Sequence, residues 1–257
     1  MFPSRYGQRL MGVEKTPEIL KDVLNGTIKN VHCTDDLDEN LYNLYNENMK
    51  TYSKKVNIGG DHSMSIATVS SSLHMHRNLK VLWIDAHADI NTRVTSKTKN
   101  VHGMPLGFLT KLDRKNFKFR VPKLDFRNLM YVGIRDLDIF EKEILKEYNV
   151  RYIKSESLNI NPNETLMRIK RFINGCPVHI SFDVDSLDPK YMKCTGTKYK
   201  DGLNVESTKK VLDGLLSQNI VNMDITELNM ELGTKEDQQE SIYNFLKLFE
   251  NYLPLKN

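Results

Sequence analysis

Residues 79–91 read Leu79-Lys80-Val81-Leu82-Trp83-Ile84-Asp85-Ala86-His87-Ala88-Asp89-Ile90-Asn91, an apolar run that gives way to titratable side chains at alternate positions. The unbroken apolar stretch from Val81 to Ile84 suits a strand covered on both faces. A similar run at 178–182, Val-His-Ile-Ser-Phe, precedes Asp183-Val184-Asp185. Further β-rich runs at 28–33, 55–58, 128–133, 150–153 and 220–225 alternate with amphipathic stretches at 17–24, 38–52, 65–76, 137–148, 164–173, 205–216 and 235–252. Strand–helix alternation predicts parallel strands joined by crossover helices. Thr16 before Pro17 reads as a helix cap and Gly26 as a stop. The stretch 112–128 is the longest without pattern and reads as a surface loop. No repeat, low-complexity tract or linker interrupts the chain, so one α/β domain over 1–257 is expected.

Composition narrows the class. Of 257 residues, 39% are hydrophobic, enough for a core and too many for wholesale disorder. No apolar run is long enough for a transmembrane helix, and the start, MFPSRYGQRLMG, has no secretory h-region. Three widely spaced cysteines make neither a disulfide framework nor a zinc pattern, so a reduced, cytoplasmic chain with buried thiols is expected. Lys and Arg (37 against 33 acids) are scattered along the sequence, which predicts no nucleic-acid partner and no membrane partner. Local bunches such as 96–99 read as solvated loop.

In open α/β sheets, ligands bind beyond the carboxyl ends of the strands. His62 follows the 55–58 run within Gly59-Gly60-Asp61-His62-Ser63, and Thr226-Glu227 follows 220–225. Four strand ends thus deliver two histidines and six acids toward one rim, if those strands are neighbours. Extended chain turns alternate side chains to one side, so Asp85, His87 and Asp89 should face together, as should Asp183 and Asp185. So many carboxylates would repel strongly unless cations neutralise them. Carboxylates with imidazoles suit manganese or magnesium, and two such ions can activate a water. His74 and His76, two apart on a helix, read as surface residues; His32 and His179 read as packing residues.

These motifs, GGDHS, DAHADIN and SFDVDSLDP, together with GQRLMGVEKTPEIL and NMDITELN, make the chain similar to the ureohydrolase family and within it to the arginase branch. The resemblance implies a three-layer α/β/α sandwich with a mainly parallel sheet. It also implies a homo-oligomer, trimer or hexamer, around two manganese ions (Mn2+) per subunit. By motif, His62, Asp85, Asp89 and Asp183 hold one ion, and His87, Asp85, Asp183 and Asp185 the other, with Asp85 and Asp183 bridging. The implied reaction is attack of a metal-bridging hydroxide on the guanidinium carbon of L-arginine, giving L-ornithine and urea. Asp89 also accepts a hydrogen bond from that hydroxide. His102, in NVHGMP, matches the family's proton-relay histidine. Glu227 matches the acid that holds the guanidinium, and Thr197 a threonine of that pocket.

Substrate choice turns on the other end of the ligand. Asn91 and Thr98 match the residues that read the α-carboxylate; Asp136, Asp138 and Glu141 match the acids near the α-amino group. Neutral donors for a carboxylate and acids for an ammonium complement an amino-acid zwitterion. The alternatives are an agmatinase, another guanidino-acid hydrolase, or a non-catalytic protein on the same scaffold. Two departures stand out. The family begins with a strand inside the sheet before the GQ…GVE segment, whereas this sequence starts almost within the following loop, which threatens continuity of the sheet. Arg93 occupies a position that is often proline, where its charge either opposes a cationic substrate or points to solvent.

Overall fold

In a computed structural model that describes residues 1–26, 28–52 and 54–256, the sheet has six strands. They are β1 (Val56–Ile58), β2 (Lys80–Ile84), β3 (Leu129–Val132), β4 (Arg151–Ile153), β5 (Val178–Asp183) and β6 (Ile220–Thr226). Their order is β1-β6-β5-β2-β3-β4, and every pairing is parallel. The helices among the described residues are α1 (Thr16–Lys21), α2 (Leu37–Asn48), α3 (Ser65–Met75), α4 (Pro105–Thr110) and α5 (Ile139–Glu147). They continue with α6 (Ser155–Ile160), α7 (Pro162–Ile173), α8 (Val205–Leu215) and α9 (Lys235–Phe249).

Strand β2 shows why the sheet is sandwiched. Val81 and Trp83 enter one apolar cluster with Leu41, Met64, Leu106 and Leu145, from α2, the α3 entry, α4 and α5. Leu82 and Ile84 enter the other, with Ile169, Val211, Phe245 and Phe249 from α7, α8 and α9. Alternate side chains of one strand therefore feed two cores, giving three layers. The run at 178–182 is less apolar in space than in sequence: Val178, Ile180 and Phe182 join the second core, but His179 and Ser181 turn to the α3 side. There they meet a buried polar layer of Asn57, Asn222, Asp224, Thr68 and Ser72. Helix α3 accordingly has no solvent face over its first two turns, where every residue from Ser65 to Ser72 is buried, rather than the amphipathic pattern expected.

Several sequence expectations change. The 28–33 run forms no strand; Val31 instead donates to the Met1 carbonyl at 2.9 Å, and the Met1 ammonium donates to the Lys29 carbonyl at 2.8 Å. Phe2, on its other side, bridges Gly59 in parallel, donating to the Ile58 carbonyl at 2.8 Å. Met1 and Phe2 thus lie between β1 and the 28–31 stretch, and the sheet itself is unbroken because β1 pairs directly with β6. Thr16 is not a cap: it lies inside α1, and its hydroxyl donates to the Leu228 carbonyl. His32 is exposed, and of the three free cysteines only Cys194 is buried. No helix among the described residues is long and apolar enough to cross a membrane.

Truncating the core tests this architecture. Leu82→Ala, at a fully buried position of a central strand, is expected to cost about 2–5 kcal/mol in urea denaturation. The exposed Leu216→Ala should cost about 0.5 kcal/mol or less. Equal costs would contradict the assigned core.

Candidate metal centre and substrate pocket

The four strands that end in the motif residues are neighbours, so the 61–63, 85–89, 183–185 and 226–227 segments share one stretch of the carboxyl edge. The convergence within each motif is not the alternation of extended chain. Three of the four leave the sheet in a tight turn whose aspartate accepts the backbone N–H two residues on. Asp85 Oδ1 accepts from His87 at 2.7 Å, Asp183 Oδ1 from Asp185 at 2.8 Å, and Asp61 Oδ1 from Ser63 at 2.9 Å. The glycines before Asp61 admit the N-terminal segment: a Cβ on Gly60 would lie 1.7 Å from the Ser4 carbonyl oxygen. Asp89 and Glu227 adopt left-handed backbone, φ 49° and 66°, a conformation a non-glycine residue keeps only where its surroundings impose it.

Buried His62 points Nδ1 at three carboxylates: Asp89 Oδ2 at 3.0 Å, Asp85 Oδ2 at 3.2 Å and Asp183 Oδ2 at 3.2 Å. It makes a hydrogen bond to none of them, which leaves a buried ring nitrogen without a protein partner. A nitrogen lone pair ringed by carboxylate oxygens is the donor set of a divalent cation. His87 Nδ1 lies 3.1 Å from Asp185 Oδ2 and 3.4 Å from Asp85 Oδ1, and its Nε2 lies 3.4 Å from Asp136 Oδ2. Two groups result, His62–Asp85–Asp183 and Asp85–His87–Asp185, each with donor atoms within 4.8 Å of one another. They share Asp85. The second expected bridge, Asp183, falls in the first group only, and Asp89 joins through His62.

With no cation between them these groups hold protons unusually. Burial and the neighbouring Asp85 charge push Asp89 up to about 6. Burial, then the charges of its partner aspartates, raises Asp183 well above the usual carboxylate range. Burial opposes protonation of both imidazoles, but the surrounding carboxylates outweigh it and lift His62 and His87 well above their ordinary value. For His102, burial is likewise outweighed, here by Glu227 at 3.0 Å, and the ring rises to about 9.

These candidate ligands rest on a second set of contacts that sequence reasoning missed. Trp83, two residues before Asp85 and the chain's one tryptophan, stacks on His62 at 4.2 Å between centroids and donates to Asp85 Oδ2 at 3.0 Å. His62 Nε2 meets Ser181 Oγ at 2.8 Å; Ser181 meets Ser65 at 2.9 Å; Ser65 donates to Asp224 Oδ2, which also binds His179 Nε2 at 3.0 Å. His179 is therefore part of the polar network that orients His62, not a packing residue. Arg135 donates to the carbonyls of Asp185, Ser186, Tyr199 and Lys200 at 2.9–3.0 Å, pinning the 185–200 loop over the strand ends. Glu227 Oε2 accepts from Gln8 at 2.6 Å, and Oε1 from the His62 backbone at 2.8 Å.

Above the histidines lies a pocket of about 290 Å³. Asn91, Thr98, Asp136, Asp138, Glu141 and Thr197 line it, as do His87, Asp89, His102, Asp183 and Asp185; His62 and Asp85 lie beneath. Glu227 is not in the lining and reaches the pocket through His102. Asn91 donates to Asp138 at 2.8 Å, and Asp138 caps α5 reciprocally with Glu141, which burial raises to about 7. Thr197 donates to Asp185 Oδ2 at 3.0 Å. Lys97, which the sequence reading left in a solvated loop, lines the pocket too. Arg93 does not: it pairs with Asp113 at 2.7 Å and faces outward.

A parallel three-layer sheet with paired imidazole–carboxylate groups at its carboxyl edge defines an α/β protein equipped to hold divalent metal beneath a polar pocket. The Arginase family model matches residues 9–246, and the chain belongs to that family of hydrolases. It is 32% identical to Arginase-1 of Bos taurus over 222 residues, 82% of this chain and 69% of that protein. It is 35% identical to the arginase of Plasmodium falciparum (isolate 3D7) over 219 residues, 80% of this chain and about half (52%) of that protein. Its fold matches the crystal structure of Entamoeba histolytica arginase in complex with L-ornithine, with a TM-score of 0.84, 24% identity and 96% of both chains covered.

Two outcomes follow from this geometry. Ser181→Ala removes the partner of His62 Nε2 and is expected to weaken metal binding about 10–100-fold in chelator competition while leaving the circular dichroism spectrum intact. Unchanged affinity would refute the orienting role. The second concerns pH. Groups raised in the folded state bind protons there that the unfolded chain has released, so their contribution to stability is lost as pH rises through the folded values. Metal-free protein should therefore melt at progressively lower temperature from pH about 4 to about 6, where folded Asp89 keeps a proton the unfolded chain has released, and again from about 6.5 to about 9, where His102 does. Added Mn2+ should raise the melting temperature most at the upper end, and a metal-free melting temperature that climbs with pH would contradict the assignment.

Proposed function

We propose that this chain hydrolyses the guanidinium group of L-arginine to L-ornithine and urea at a centre of two Mn2+ ions. The observation that carries the reading is the pocket itself, whose lining joins imidazoles and aspartates of the two donor groups with neutral and acidic side chains suited to an amino-acid head group. His62, Asp85, Asp89 and Asp183 would hold one ion, and His87, Asp85, Asp183 and Asp185 the other. When bound, two divalent ions supply Lewis acidity, lowering the pKa of a pocket water and stabilising charge on the attacked guanidinium carbon.

The chain's own groups do the rest. Asp89, buried and facing the pocket, accepts a proton from the attacking water. His102, kept as imidazolium by Glu227, gives a proton to the departing ornithine amine as the C–N bond breaks. Glu227 thereby acts by positioning and charging His102. Thr197 steadies Asp185 and lines the guanidinium end. Asp136, Asp138 and Glu141 meet the α-ammonium; Asn91 and Thr98 meet the α-carboxylate, and Lys97 adds a cation there. That cation favours arginine over agmatine, which lacks the carboxylate. The complete donor set speaks against a non-catalytic scaffold protein. A homo-oligomer, trimer or hexamer, completes the proposal.

Urea release by Mn2+-loaded protein tests the reading. Arginine should be preferred to agmatine and guanidinobutyrate. Asn91→Ala and Lys97→Ala should each raise KM for arginine, at about 1–3 kcal/mol per lost contact, with little change for agmatine. A preference for agmatine, or equal effects on both substrates, would refute arginine as the substrate.

A further inference from the structure

At the other end of the sheet, the amino ends of β2, β3 and β4 form a cavity of about 520 Å³ whose lining holds five cations and no acid. Lys80 and Arg151 open β2 and β4, Arg127 precedes β3, and Arg168 and Arg171 come from α7. These residues are scattered in sequence; the fold gathers them. Only Arg127 meets an acid, Asp125 at 2.7 Å. Lys80, Arg151, Arg168 and Arg171 have no carboxylate within 4.0 Å among the described residues. Lys193 and Lys209, by contrast, each meet two acids.

Two of the cations are also held in place. Lys80 Nζ lies 5.2 Å from the Phe172 ring centroid and Arg151 Cζ 5.9 Å from the same ring. Lys80 donates to Asn128 Oδ1 at 2.7 Å, and Arg151 Nη1 to the Arg127 carbonyl at 3.1 Å. The carbonyl end of α7 accounts for Arg171, but not for the three cations that enter from the strand side. Like charges fixed together around an open cavity repel one another, and an anion relieves that repulsion. Arginine forks match phosphate-type oxygens in pairs, and the volume suits a small molecule. We infer that this cavity binds a small organic polyanion carrying two or more phosphate-type groups, at a site separate from the metal centre.

Pyranine, a fluorescent trisulfonate, is a direct probe on Mn2+-loaded protein. It should bind saturably with one site per chain, weaken as NaCl rises, and be displaced by ATP with equimolar magnesium. Arg168→Glu with Arg171→Glu should weaken it about tenfold or more, while urea release and melting temperature stay near those of the parent. Lys80→Gln with Arg151→Gln provides a second variant should the first fold poorly. Absence of saturable binding, binding that survives both pairs of substitutions, or displacement by a single-stranded oligonucleotide but not by ATP would overturn the inference.

Discussion

The structure depends on mutual repulsion among buried carboxylates. Asp85, Asp89, Asp183 and Asp185 crowd around two imidazoles with little or no contact with water. Two unit charges about 4 Å apart at an effective dielectric near 20 interact by about 4 kcal/mol, so four such groups are tolerable only with compensating positive charge. Without a metal the histidines and retained protons supply it, as the raised values of Asp89, His62 and His87 show. Divalent cations would supply it more completely, which would tie occupancy of the site to stability as well as to chemistry.

The sheet order makes that crowding possible. Parallel strands release their motifs at one edge, and the sequence β1-β6-β5-β2 sets four motif-bearing ends side by side. The polar layer under α3 then orients what the edge collects. A buried chain from His62 through Ser181 and Ser65 to Asp224 and His179 fixes one imidazole from below, while Trp83 covers it from the side. That layer replaces apolar packing in the middle of the sheet, and it is tolerated because its members are hydrogen-bonded to one another.

Much of this was legible in the sequence, and the reasons for the rest are physical. Apolar runs such as 80–84 announce strands because parallel strands are covered on both faces. The recurrence of such motifs after several apolar runs, rather than Asp85-Ala-His87-Ala-Asp89 alone, points to a candidate metal centre, because so many carboxylates at neighbouring strand ends need compensating positive charge. The way those side chains meet was not legible, since a turn in which Asp85 captures the His87 N–H reads in sequence like two more residues of strand. The six-residue helices α4 and α6 are too short to show a helical period, and α4 is buried throughout. The polar faces of 178–182 and 65–72 are hidden among apolar neighbours until pairing shows which residues share a side. Gln8 and Arg135 act across long sequence distances, as do the basic residues beneath the sheet, and spacing carries no signal for them.

The two ends of the sheet are electrostatic opposites, an acid-lined pocket at the carboxyl edge and a cation-lined cavity at the amino edge. The two linings share no residue, so metal at one end and an anion at the other would act independently. The central claim is that the carboxyl-edge cluster is a binuclear site. Elemental analysis of protein stripped by chelator, reloaded with Mn2+ and freed of excess ion by gel filtration tests it most directly. Two manganese ions per chain are expected; a value that saturates at one, or near zero, would contradict the claim.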